Sequence, residues 1–171
     1  VDITERKHLI RKIEESEAKY RQLIENSIDA VSLARDGKFL FANKGFLSMF
    51  GYSSMGEVVG KDISIVISGR DKKIVLDRSN RRLQGEQVPS RYEYHGMKKD
   101  GTLIDVEVQV TTMQLDGQPT ALAYHRNITE RKKEEAELQR KTRALELMRE
   151  ISLSVNQSIH LDDVLLIGLR S

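Results

Sequence analysis

The stretch YEYHGMKKDGTLIDVEVQV, residues 92–110, decides the fold. Its second half alternates: Ile104, Val106, Val108 and Val110 are interleaved with Asp105, Glu107, Gln109 and Thr111. A period of two with apolar residues on one side only predicts a half-buried antiparallel strand. Lys99-Asp100-Gly101 separates it from the preceding SRYEYHGM run and predicts a hairpin turn. Asp116-Gly117 predicts a second turn, into a third strand over PTALAYHRNI.

Working outward from these three strands, AVSLA (30–34) and KFLFAN (38–43) are short apolar runs joined by Arg35-Asp36-Gly37, a further hairpin signal. The residues in between read as short helices. Asn43 is placed to cap KGFLSMF and Gly51 to end it. Ser54 and Glu57 fit a capping box for a second helix that stops near Gly60. An amphipathic helix is expected from about Arg70 to Gln84, with Ile74, Val75, Leu76 and Leu83 on its apolar side. Helices clustered between the strands of an antiparallel sheet make the class α+β.

Charged helix flanks this block on both sides. From Thr4 to Asn26, the residues Leu9, Ile13, Ser16, Tyr20 and Leu23 form a heptad seam with one polar slot. After Ile128, Leu138, Leu145, Met148 and Val155 line one side, with Lys141 and Ser152 interrupting the stripe. SIHLDDVLLIGL, from Ser158, reads as a fresh amphipathic start. The pentapeptide ITERK occurs at Ile3–Lys7 and again at Ile128–Lys132, each time ahead of such a charged segment.

Composition narrows the function classes. The chain has 171 residues and a net charge of +2, which gives no reason to expect nucleic acid or an acidic membrane as partner. No run of eighteen apolar residues predicts a transmembrane helix, and a cytoplasmic location is expected. The absence of cysteine removes disulfides, thiolate metal sites and thiol nucleophiles. His8, His95, His125 and His160 show no metal-ligand spacing, so no metal is expected. No Ser/His/Asp arrangement or phosphate-cradling glycine loop is present, and a non-catalytic module is expected. The first residue, Val1, suggests a piece of a longer protein.

At this point four motifs, in order, resemble one family. SEAKYRQLIENSIDAV (16–31) resembles the entry to a PAS domain. ANKGFLSMFGYSSMGEVVGKDI (42–63) resembles the helical half of its core, and YEYHGMKKDGTLIDVEVQV its sheet half. YHRNITERK (124–132) resembles the closing motif where the last strand passes into an output helix. The tail over LELMREISLSVNQSIHLDDVLLIGL looks like the first helix of a GAF domain. The organisation expected from this is the end of a preceding PAS repeat with a linker helix (1–15), a PAS domain (16–129), a coiled-coil-like signalling helix (130–157) and the start of a GAF-like domain (158–171).

The resemblance implies a five-stranded antiparallel sheet with short helices over one face and a pocket between them. It implies a sensory or dimerising role in a histidine kinase or diguanylate cyclase, with the output domain elsewhere in the parent chain and a homodimer through linker helices and sheet. Light sensors of this family form a flavin adduct with a cysteine, which this chain lacks. Haem-binding members use a histidine on the long helix, and RDKKIVLDRSNRRLQ has none. A small organic molecule, or nothing, is the expected pocket content.

Strand alternation nominates Val31, Leu33, Phe41, Phe46, Phe50, Val59, Ile63, Ile74, Tyr92, Tyr94, Val106, Val108 and Ala123 as pocket residues, with plain core packing the stronger reading for most. His125 shares a side with Ala121 and Ala123. There it could bond a ligand or change charge between pH 5 and 8, or simply satisfy a polar neighbour near the sheet edge. Asn43 is better explained as a helix cap than as a ligand contact. The basic face of Lys72, Lys73, Arg78, Arg81 and Arg82 reads as solvated. Asn127, Ile128, Thr129, Glu130 and Arg131 form the expected signal-transfer joint, with Thr129 capping the helix. Asn127 stands where the first copy of the joint has Asp2, so no ionic latch to Arg131 is expected. The rival is a ligand-free structural repeat whose pocket is filled by Phe41, Phe46, Phe50 and Tyr94.

Overall fold

The computed structural model describes residues 29–168, with side chains to 154, and before them residues 6–8, 11–12, 19, 22 and 24–27. The heptad seam expected at Leu9, Ile13, Ser16, Tyr20 and Leu23 lies outside the described residues.

Five strands form one antiparallel sheet: β1 (Ala30–Arg35), β2 (Lys38–Ala42), β3 (Arg91–Met97), β4 (Leu103–Leu115) and β5 (Gln118–Asn127). Their spatial order is β2-β1-β5-β4-β3. The Asp-Gly signals do what they predict: Asp36 and Gly37, and Asp116 and Gly117, all take positive φ, the geometry of a two-residue hairpin. The turn between β3 and β4 is longer. Lys98 N–H donates to Thr102 O, and the Asp100 carboxylate accepts from Thr102 N–H.

Between β2 and β3 lie the helix α1 (Lys44–Phe50), two short 3₁₀ turns (Met55–Glu57 and Ile63–Val66) and the helix α2 (Lys72–Leu83). Asn43 caps α1: its Oδ1 accepts from Phe46 N–H and from Val31 N–H, and its Nδ2 donates to the carbonyls of Ile24 and Asp29. With all those bonds made and the side chain fully buried, Asn43 ties α1 to β1. Gly51 ends α1 at φ 76°. The capping box expected at Ser54 does not form. Ser54 makes no side-chain cap bond, and Glu57 instead accepts from Lys99 Nζ at 2.8 Å. Three residues leave too short a helix for a capping box to close.

The core lies between one face of the sheet and these helices. Phe39, Phe46, Phe50, Val58, Val66, Ile67, Val75, Tyr94, Ile104, Val106, Val108 and Val110 are its large buried members. Gly96, on the inward side of β3, is where Phe50 and Val106 close in: a Cβ there would lie 2.7 Å from Val106 Cγ2 and 3.2 Å from Phe50 Cε1.

The described chain falls into two units, residues 1–129 and 130–171. The second is the helix α3, Thr129–Gly168, which begins at the last residue of the first. It runs through residue 158 without a break, so no change of secondary structure marks the fresh start expected there. Leu138, Leu145 and Met148 are about two-thirds exposed. Lys141, on the same stripe, pairs with Glu137 at 2.7 Å, and Ser152 Oγ donates to Met148 O. The side chain of Val155 lies outside the described residues.

Candidate functional site

A cavity of ≈ 60 Å³ lies between the sheet and α2. All five strands contribute to its wall. Ser32 and Ala34 come from β1, Phe39 from β2, Tyr92 and Tyr94 from β3, Val108 and Val110 from β4, and Ala121, Ala123 and His125 from β5. The helical side supplies Ile63, Val66, Ile67, Val75, Ser79 and Arg82. Val75, Ser79 and Arg82 follow one another by four and three residues, which puts them on one face of α2.

Of the nominated residues, the structure brings Ile63, Tyr92, Tyr94, Val108, Ala123 and His125 to this wall. Phe46, Phe50 and Val106 sit in the core behind it. The remaining five are elsewhere. Val31 and Leu33 are one residue out of phase: they pair with Tyr124 and Leu122, while Ser32 and Ala34 pair with Ala123 and Ala121 on the cavity side. Phe41 follows them. A bulge lets Phe39 oppose Ala34 while Phe41 opposes Leu33, so Phe41 shares the other face with Leu33 and Leu40 is left over. Val59 and Ile74 are 38% and 49% exposed, and their neighbours Val58 and Val75 are the buried residues.

His125 is the polar centre of the wall. Its imidazole is buried, with Nε2 2.9 Å from Ser32 Oγ and Nδ1 3.2 Å from the Tyr94 hydroxyl. Phe46 and Phe50 present their rings at steep angles to it, at centroid distances of 5.2 and 6.0 Å. Burial among these groups pushes the imidazole pKa down from 6.5 to about 3. Of the alternatives the sequence left open for His125, this burial works against a charge change between pH 5 and 8 and agrees with an imidazole that satisfies its polar neighbours, since burial disfavours the cation. Burial likewise raises the pKa of Tyr94, so its hydroxyl keeps its proton.

The second polar group went unseen in the sequence. Arg82 is 8% exposed and lines the cavity, rather than belonging to a solvated face. An Nη2 proton goes to the Pro89 carbonyl, and the guanidinium also bonds the Tyr92 hydroxyl. Burial raises the Tyr92 pKa, and Arg82 and Arg78 pull against that. Arg78 stacks over the Tyr92 ring at 4.5 Å. Of the remaining basic face, Lys73 and Arg81 are exposed, and Arg81 pairs with Glu86 and Asp77 at the surface, while Lys72 and Arg78 are half-buried. Counting i+4 and i+7 from Val75 would have found both Ser79 and Arg82, had the core-facing stripe not been expected to be apolar.

From the front of α2 a chain of contacts reaches the start of α3. Asp71 Oδ2 accepts from the backbone N–H of His95 at 2.6 Å and from its Nδ1–H at 2.7 Å. His95 Nε2 lies 3.8 Å from Asp105 Oδ1. The Asp105 carbonyl accepts from Ile128 N–H, and its N–H donates to Thr129 Oγ1. At the joint itself, Asn127 Oδ1 accepts from both Thr129 N–H at 3.0 Å and Thr129 Oγ1–H at 2.6 Å. The capping role expected of Thr129 thus falls to Asn127, and the Thr129 hydroxyl is spent bridging Asn127 to β4. Ile128 is buried, while Glu130 and Arg131 face solvent and pair along the helix with Lys133 and Glu135. Among the described residues, no group of three or more acidic or histidine side chains could hold a metal ion. No described helix is long and apolar enough to cross a membrane.

Comparison with known proteins gives a consistent result. The profile of the PAS fold matches residues 18–128. Sporulation kinase A of Bacillus subtilis (strain 168) is 24% identical over 159 residues, 93% of this chain, which spans only 26% of the kinase. Among solved structures, the PAS domain of an HTR-like protein from Haloarcula marismortui is similar with a TM-score of 0.56 and 27% identity, over 71% of this chain and 99% of that one. A domain of a sensory box sensor histidine kinase/response regulator from Geobacter sulfurreducens reaches a TM-score of 0.55 at 24% identity, over 67% of this chain and 96% of that one.

Proposed function

Since the chain belongs to the PAS fold family, we propose that it is the sensory module of a longer signalling protein of the histidine kinase type, which detects a small molecule in the cavity and reports through α3. The observation that carries this reading is the placement of His125. It stands on the strand that continues into α3 and is bonded to Ser32 on one side and Tyr94 on the other. A ligand that displaces either hydroxyl alters the strand that leads into the helix. The Asp71–His95–Asp105–Thr129 contacts give the cavity-covering helix α2 a second connection to the same joint.

In this reading α3 pairs with its copy in a homodimer. The support is the stripe of Leu138, Leu145 and Met148, too exposed to be left to water over so many turns, with Lys141 and Ser152 weakening the seam. A weak seam with two nearly equal registers is the kind of element a small free-energy change can switch. The module itself is non-catalytic, and the kinase or cyclase chemistry belongs to the parent chain.

One observation favours a second reading, a ligand-free spacer. The cavity of ≈ 60 Å³ is well below the roughly 300 Å³ at which ligand pockets usually begin. Native mass spectrometry of the purified chain separates the two. A co-purified small mass, lost in the Ser32→Val variant, supports a sensor. A dimer that never carries one, and whose parent kinase is indifferent to Ser32→Val, supports the spacer.

A further inference from the structure

The chemistry of the cavity wall specifies what the sensor of the preceding section would bind, and the inference rests on that reading. Arg82 carries a permanent positive charge. It is nine-tenths buried, yet among the described residues no carboxylate pairs with it. The acids nearest in sequence are engaged elsewhere: Asp77 with Arg81, Asp71 with His95 and Glu86 with Arg81. Of its five N–H groups, the Pro89 carbonyl and the Tyr92 hydroxyl are the partners the protein supplies. Its remaining N–H groups keep some contact with solvent, and a cation lining a mostly apolar cavity is better satisfied when a counter-charge meets them there.

The opposite polar group also offers a donor. Ser32, His125 and Tyr94 bring three protons to two hydrogen bonds, since a neutral imidazole has one N–H. If Nε2 holds the proton, it donates to Ser32, Tyr94 donates to Nδ1, and the Ser32 hydroxyl proton is left over. If Nδ1 holds it, the Tyr94 hydroxyl proton is left over. In either tautomer one hydroxyl has no protein acceptor among the described residues. Elsewhere the wall is apolar, aliphatic at Ile63, Val66, Ile67, Val75, Val108 and Val110 and aromatic at Phe39, or presents a further hydroxyl at Ser79. The cavity therefore has donors and a cation, a greasy lining, and no acidic group. At about 15 Å³ for each water-sized group, its ≈ 60 Å³ gives room for roughly four non-hydrogen atoms.

We propose that the cavity binds a short-chain monocarboxylate of acetate to propionate size, with the carboxylate on Arg82 and the alkyl part against the aliphatic wall. A guanidinium matches the planar, two-oxygen carboxylate in a way it matches no neutral isostere. The small volume and the single charge favour a small monoanion over larger or dianionic acids.

The test uses the whole chain in a buffer free of carboxylates, with acetate, acetamide and ethanol as probes. Carbon-13-labelled methyl groups on the first two report binding by contacts to the valine methyls of the wall. Acetate is expected to bind about tenfold more tightly than acetamide or better, the worth of one charge-assisted bond. Its methyl should show contacts to Val108 and Val110, and Arg82→Gln should lose the same factor. Acetamide binding as tightly as acetate overturns the proposal, as does an Arg82→Gln variant that keeps acetate affinity. If Arg82→Gln does not fold, the acetate-against-acetamide ratio and the methyl contacts in the native chain still decide. Ethanol or acetamide in the cavity with acetate excluded would sink the carboxylate while leaving the sensor standing. No probe making contact with the wall would sink both.

Discussion

Protonation of His125 is an electrostatic liability built into the sheet, and its consequence for stability can be worked out. The unfolded chain takes up the proton near pH 6.5, while the folded chain resists it until about pH 3. Between those values the unfolded state binds more protons, so stability is full above pH 6.5 and falls as the pH drops toward 3. With about 1.36 kcal/mol per pKa unit, the loss reaches about 2 kcal/mol at pH 5 and about 5 kcal/mol once the whole interval is crossed. Carboxylates do not blur the upper part of this window. Asp62, Asp71, Asp100 and Glu57 all have pKa values lowered below 3.8 or 4.5, so their contributions are lost only below those values. Urea unfolding of the native chain and of His125→Gln at pH 7.5, 6 and 5 isolates the effect, because glutamine keeps a donor and an acceptor but never titrates. The native chain should lose about 2 kcal/mol more than the variant between pH 7.5 and 5. Parallel decline of the two proteins would refute the reasoning, and so would an imidazole nitrogen signal of His125 that titrates near 6.5 in the folded chain.

Three further outcomes follow from particular contacts. Gly96→Ala drives a Cβ to 2.7 Å from Val106 Cγ2, so the urea midpoint should fall by the equivalent of about 1–3 kcal/mol with the slope unchanged. Asn127→Asp replaces an amide acceptor with a charged one beneath two donors of Thr129 and at the positive end of α3, for a gain of roughly 0.3–1 kcal/mol. Amide exchange should slow across residues 127–135, and unchanged rates would count against a stiffened joint. Asp71→Ala strands the His95 N–H and should cost about 1–2 kcal/mol. It should also shift the amide resonances of Ile128 and Thr129, which a purely local role would leave in place.

The fold was legible because its signals are local and repeated. Two Asp-Gly dipeptides demand positive φ where few other residues tolerate it, and the alternation over Ile104–Val110 leaves one facing for β4. Asn43 was legible for a similar reason, since an amide ahead of an apolar helix has an orphan N–H within reach. Legibility stopped at strand phase in β1 and β2. Val31, Leu33 and Phe41 are the more apolar residues, and hydrophobicity alone assigns them inward. The inward side instead holds Ala30, Ser32, Ala34 and Phe39, because β1 takes its register from β5 and a bulge at Leu40 resets β2. Neither cross-strand register nor a bulge leaves a mark in a single sequence.

The same reasoning explains why the more informative half of the site was missed. A core-facing helix stripe is expected to be apolar, and on α2 the apolar Ile74 is half exposed while Arg82 is buried. A chain selected only for packing has no use for that exchange, since a buried unpaired charge costs stability that an isosteric apolar residue would not. In β5 the same inversion places an imidazole among Phe46, Phe50 and Tyr94, where its own ionisation is suppressed. Two polar groups held against their solvation preference, on opposite walls of one cavity, are what a spacer does not need and a binding site does. That contrast is the physical ground for the proposal of a ligand, and it makes Arg82 the residue whose substitution tests it.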